Sequence, residues 1–80
     1  MHVAVEISLY PLTDGFLPPI EDFIARLRAR AGLRVLTNSM STQVSGDFTV
    51  VMQALQQEMV VTFGAPQRSV FVMKVLGGGD

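Results

Sequence analysis

The sequence predicts an α+β domain: one four-stranded antiparallel sheet with two helices on one of its faces, in the order β-α-β-β-α-β. Three observations carry that reading. Residues 2–10 alternate with a period of two that gives one strongly apolar face. Two later stretches space their apolar residues as a helix does. A pair of short segments rich in Val, Leu and Thr lies between those stretches.

The alternation begins the chain. Val3, Val5, Ile7 and Leu9 fall on one side of a strand from His2 to Tyr10, and Ala4, Glu6, Ser8 and Tyr10 on the other. A period of two places these sets on opposite faces. Pro11 is expected to end the strand, and Thr13-Asp14-Gly15 supplies turn residues. Pro18-Pro19 then opens a helix, because a proline in the first turn gives up an N–H that would have no partner there. Ile20, Phe23, Ile24, Leu27 and Ala31 form one apolar stripe, and Gly32 suits the left-handed residue that closes a helix. Glu21 and Asp22 are placed toward the positive end of the helix dipole, and Arg26, Arg28 and Arg30 toward its negative end. The three arginines are expected to form a solvated face.

Two strands follow, Leu33 to about Asn38 and about Ser41 to Ser45, with Asn38-Ser39 near the turn between them. Gly46-Asp47 is expected to stop the second of these, with Asp47 as a helix N-cap. The period then becomes helical through Phe48, Val51, Met52, Leu55, Met59 and Phe63, and Gly64 closes it. A last strand runs from Arg68 to Leu76. Val70 and Val72 lie on one of its faces and Phe71, Met73 and Val75 on the other, and the sequence leaves open which faces the helices. Residues 1–76 form a single domain, and residues 77–80 a flexible Gly-rich tail. Two right-handed βαβ units joined through a hairpin give the ferredoxin-like split fold, with strand order 4-1-3-2.

Composition narrows the function. The chain has 80 residues, 49% of them hydrophobic and only 16% charged, against about 25% charged in an average domain. A domain of this size buries about 60–65% of its unfolded surface, so the apolar surplus calls for a second buried surface. The helix-free face of the sheet is the natural place for it. Cysteine is absent, which removes disulfides, thiolate nucleophiles and cysteine metal sites. The single histidine, His2, cannot build a Ser-His-acid set or a multi-histidine metal site. No cofactor is expected. Formal net charge is −1, without the basic excess of a nucleic-acid binder, and the outward positions of the central strands hold Glu, Ser and Gln rather than stacking aromatics. No apolar run approaches the roughly 20 residues of a membrane span. The first residues lack a basic stretch followed by an apolar one, so the expectation is a cytoplasmic protein with no signal peptide, nucleic acid or membrane partner.

On the helix-free face, Ala4, Glu6, Ser8 and Tyr10 are expected beside Ser41, Gln43 and Ser45 of the third strand, with Val44 turned inward. This polar strip next to an apolar flank offers the few placed donors and acceptors of a small-molecule pocket. Each residue also has a plainer reading. Glu6 is either a solvated strand residue or a partly buried acceptor. The serines are ordinary surface residues, and Tyr10 packs on the first loop.

Two stretches carry a resemblance. Val5-Glu6-Ile7-Ser8-Leu9-Tyr10-Pro11-Leu12, together with Thr37-Asn38-Ser39-Met40-Ser41-Thr42-Gln43-Val44-Ser45-Gly46-Asp47, resembles the hallmark segments of the thiamine-binding, YkoF-like family of small ferredoxin-like proteins. The resemblance implies a non-enzymatic binder of thiamine or its hydroxymethylpyrimidine moiety, a homo-dimer or homo-tetramer built through sheet faces. It implies ligand-binding roles for Glu6 and Ser8 on the first strand and for Thr37, Met40, Ser41 and Thr42 in the second stretch, with Tyr10, Asn38, Ser39 and Gln43 as neighbours. Glu6 would accept from the exocyclic amino group and favour the cationic thiazolium, and Phe71 would be a stacking platform if it faced the pocket. The alternative is a structural or regulatory oligomerisation module with no ligand. An enzyme such as an acylphosphatase would want an arginine in the first loop, and residues 11–19 hold none.

Overall fold

A computed structural model describes residues 1–78. The elements are β1 His2–Pro11, α1 Leu17–Arg28, β2 Arg34–Thr37, β3 Thr42–Asp47, α2 Phe48–Phe63 and β4 Ser69–Gly77. The sheet order is β2-β3-β1-β4, which is the expected 4-1-3-2 read from the other edge, and every neighbouring pair is antiparallel. Its core is the alternation seen in β1. Val3, Val5, Ile7 and Leu9 are buried with Val44 of β3, Phe23 and Leu27 of α1, and Val51 and Leu55 of α2. Each such side chain contributes about 1.5–3 kcal/mol on burial.

Strand register settles the orientation of β4. Leu9 pairs with Phe71, Ile7 with Met73 and Val5 with Val75, so these partners share the helix side of the sheet. Val70, Val72, Lys74 and Leu76 therefore lie on the helix-free face. Phe71 sits 4.9 Å from the Phe23 ring and 5.5 Å from the Phe63 ring, centroid to centroid, which makes it a core aromatic.

Several boundaries differ from the expected ones for local reasons. Pro11 belongs to β1 and pairs with Ser69, whereas the ladder from β1 to β3 ends at Ile7 and Thr42. Beyond Ile7 that side of β1 has no ladder for a proline to break. Helix α1 stops at Arg28, short of Gly32, so Ala31 is exposed and Gly32 lies in the following turn with φ +82°. Its start at Leu17 puts Glu21 and Asp22 beyond the first turn, and Asp22 pairs with Arg26 instead, at 3.0 Å. Strand β2 is shorter than expected at both ends. Gly46 and Asp47, expected to stop β3, are its last two residues and pair with Val3 and His2. Gly46 has φ +155°, and a Cβ there would lie 2.8 Å from the Gly32 carbonyl oxygen, a close backbone approach that only glycine permits. Asp47 caps α2 as expected, its carboxylate accepting from the Val50 N–H at 3.4 Å. Gly77, placed in the tail by the sequence, ends β4 opposite Val3, and Gly79 and Asp80 lie outside the described residues.

The arginines depart furthest from expectation. Helix α2 buries Val51, Ala54, Leu55, Glu58 and Thr62, while Phe48 and Phe63, both assigned to its apolar stripe, are exposed. The buried face of α2 includes Glu58. One carboxylate oxygen accepts from Arg26 Nη1 at 2.8 Å and the other from Arg30 Nε at 2.7 Å. Arg26 also donates to the Glu58 carbonyl and, at 2.9 Å, to Thr62 Oγ1, while Arg30 reaches Gln57. The two arginines are thus the polar seam between the helices rather than a solvated face. Arg28 alone turns away, donating to Thr37 Oγ1 at 2.7 Å. Burial pushes the Glu58 pKa up, but hydrogen bonds from Arg30 and Arg26, reinforced by their charges, bring it below its ordinary value.

Candidate functional site

The ladder that ends at Ile7 creates the main cavity. Ser8, Leu9, Tyr10 and Pro11 continue beside β4 with no β3 partner on their other side. The β2–β3 turn makes no ladder with β1 there, and residues of the N-terminal half of α1 line the gap. The resulting cleft has a volume of about 640 Å³, within the range of about 300–1,000 Å³ for small-molecule sites.

The cleft brings together Ser8, Tyr10, Thr37, Asn38, Ser39, Met40, Ser41 and Thr42, which are the predicted site residues apart from Glu6 and Gln43. Those two face each other across the β1–β3 ladder on the helix-free face. They line a second concavity of about 610 Å³ with Ala4, Arg34, Leu36, Ser45, Lys74 and Leu76. The strip read as one surface is therefore two. Glu6 has Lys74 at 3.9 Å and stands outside the larger cleft. Phe71 is absent from the lining of either concavity, so the expected platform is not available.

Local hydrogen bonds fix the cleft's lip. Asn38 Oδ1 accepts from the N–H groups of Met40 and Ser41 at 2.7 and 2.9 Å, and the Asn38 N–H donates to the Ser41 carbonyl at 3.0 Å. This is an Asx-type turn, and it occupies the side-chain Oδ1 of Asn38. Ser8 Oγ donates to the Met40 carbonyl at 3.4 Å, tying the lip to β1. Thr37 Oγ1 is held from behind by Arg28. Met40 itself is 86% exposed and stands at the rim.

Sequence reasoning missed the opposite wall. Phe16, Leu17, Ile20, Glu21, Phe23 and Ile24 complete the cleft from the helix side. Ile20 and Ile24 are only half-buried, although their spacing reads as core. Phe16 and Leu17 are 50% and 57% exposed. Two large apolar residues between a glycine turn and a proline pair were the available signal, since a plain loop has no use for them. Among the described residues no cluster of three or more His, Cys, Asp or Glu could hold a metal ion, and no helix is long and apolar enough to cross a membrane.

Fold and cleft together define a small α+β, ferredoxin-like domain with an apolar pocket opening at the end of its central strand. No family profile matches the chain, and a search of curated proteins gives no match. Solved structures do match. Protein SP2199 from Streptococcus pneumoniae superposes with a TM-score of 0.89 over 99% of this chain and 89% of its own, at 21% identity. The hypothetical protein MJ1052 from Methanocaldococcus jannaschii gives a TM-score of 0.85 at 23% identity, covering 99% of this chain and 82% of its own. TM0486 from Thermotoga maritima, whose name proposes a role in thiamine biosynthesis or salvage, gives 0.82 at 19% identity, over 94% of this chain and 82% of its own. At these identities the likeness establishes the βαββαβ fold.

Proposed function

We propose that this chain is a non-enzymatic binder of thiamine or its hydroxymethylpyrimidine moiety, held in the 640 Å³ cleft, and that it works as a homo-oligomer. One observation carries the reading. Two stretches some thirty residues apart in sequence, Ser8–Tyr10 and Thr37–Thr42, converge on one cavity whose other wall is apolar apart from Glu21. Hydroxyl and backbone groups from the hairpin suit the ring nitrogens of an aminopyrimidine, and Phe16, Leu17 and Ile20 suit its faces. The name of the Thermotoga maritima neighbour points the same way. Calorimetric titration with thiamine and with hydroxymethylpyrimidine is the test, with Ile20→Arg as the variant that fills the cleft. Saturable heat in the parent and none in the variant supports the proposal. Absence of heat from both ligands at millimolar concentration sinks it.

A second reading, an oligomerisation module without ligand, is favoured by a different observation. Leu36, Val70, Val72 and Leu76 are 49%, 44%, 53% and 75% exposed on the helix-free face. An apolar expanse of this kind invites burial against another protein surface. Val72→Glu separates the readings. A fall in mass by light scattering with unchanged ligand heat supports a binder that also assembles, and a fall in mass in a protein with no ligand heat supports the module.

A further inference from the structure

The lining of the cleft holds one charged residue. Of the side chains lining it, Glu21 alone carries a formal charge at neutral pH; the others are apolar, hydroxyl or amide groups and Tyr10. The other acidic residues of the core and sheet are engaged. Glu58 has Arg26 and Arg30, Asp22 has Arg26, Glu6 has Lys74, and Asp47 has the N-terminal ammonium and the Val50 N–H. Among the described acidic residues, only Glu21 and Asp14 have no hydrogen bond or ion pair, and Asp14 is not in the cleft. Arg28 reaches Thr37 at the back of the hairpin without joining the lining.

An unpaired carboxylate at the mouth of a cleft with low-dielectric walls contributes a negative potential there, because the walls focus the field, and the Arg28 guanidinium opposes it only from behind Thr37. Aromatic faces add to it. Tyr10, Phe16 and Phe23 all contribute to the lining, and ring faces attract cations. We propose that Glu21 is the specificity-determining residue of this cleft, selecting a ligand with a cationic heteroaromatic ring over an uncharged molecule of the same shape. The inference rests on the binding reading above and assigns to Glu21 the role that the resemblance implied for Glu6.

The experiment compares thiamine with 3-deazathiamine, an isostere in which carbon replaces the thiazolium nitrogen and the charge is lost. Both are titrated calorimetrically into the parent protein, Glu21→Gln and Glu6→Gln. Glu21 is exposed and unpaired, so Glu21→Gln is expected to keep the parent's melting temperature. The parent should prefer thiamine by about fivefold at low salt, the size expected of a solvent-accessible ion pair. Added salt should shrink that preference. Glu21→Gln should bind the two ligands alike, with its 3-deazathiamine affinity unchanged, and Glu6→Gln should keep the preference. If Glu21→Gln retains the preference, or Glu6→Gln loses it instead, the assignment is overturned. A parent that binds both ligands equally overturns the assignment and leaves the binding reading standing. A parent that binds neither overturns both.

Discussion

Replacing Glu58 by glutamine probes the joint between the helices. The carboxylate accepts from Arg26 at 2.8 Å and Arg30 at 2.7 Å, and its side chain is only 10% exposed. Removing one partner of a buried ion pair costs about 3–5 kcal/mol when the charge left behind has no access to water. Here the arginine side chains are 21% and 31% exposed, so solvent can reach them once the carboxylate is gone. The cost should therefore fall to about 2 kcal/mol. In a domain of this length that corresponds to a loss of roughly 8–16 °C in Tm. Circular dichroism melts of parent and Glu58→Gln at neutral pH measure it. Acid supplies the second half of the test. The Glu58 pKa is lowered in the folded state, so its contribution is complete above the unfolded-chain value of about 4.5 and is lost as pH falls through the native value. The gap between parent and variant should close over that acidic window. A gap of under about 3 °C at neutral pH, or one that persists in acid, would refute the ion-pair account of the helix interface.

Gly46→Ala should destabilise the fold by 2 kcal/mol or more on the scale of about 1–3 kcal/mol per strained backbone position, since its Cβ would meet the Gly32 carbonyl at 2.8 Å. Urea unfolding reads the difference. Asn38→Ala leaves the N–H groups of Met40 and Ser41 without their acceptor at an exposed turn, so the global loss should be about 1 kcal/mol. Hydrogen exchange should nonetheless quicken at those two amides, and unchanged protection there would show that the backbone holds the turn alone. Phe23→Ala removes a side chain 2% exposed that touches the Phe71 ring and backs the cleft. It should cost about 3–5 kcal/mol, measured by chemical denaturation.

The parts of this molecule that the sequence revealed are those governed by local period and local chemistry. Val3, Val5, Ile7 and Leu9 announced both a strand and its buried face. The change to helical spacing at Phe48, with Asp47 before it, placed α2 at Phe48–Phe63. Faces set by an interaction between distant elements stayed hidden. Nothing near Glu58 says that it will be buried, because its two cations come from α1 and the turn after it, some thirty residues earlier. The expectation of solvated arginines failed for the same reason. The cleft was half legible. Its hairpin and strand residues stood out as a polar cluster, but Ile20 and Ile24 have the spacing of core residues, and period alone cannot say where a core is left open. Glu6 and Gln43 were grouped with the rest because alternation gives the face a residue lies on and not how far along the strand its pocket extends.

The end of the β1–β3 ladder at Ile7 and Thr42 has a consequence for how such a cleft could be resized. The cavity is, in effect, a missing corner of the sheet: β1 runs on for four residues, Ser8 to Pro11, along a border that a longer hairpin would occupy. Hairpin length then acts as a dial. Two extra residues on each arm of the β2–β3 turn would let β3 zip onto Ser8 and Leu9 and fill the space with backbone, without altering any core residue. Shortening the hairpin would widen the opening. Ligand size could thus drift by insertion and deletion at one exposed turn while the rest of the architecture remained as it is.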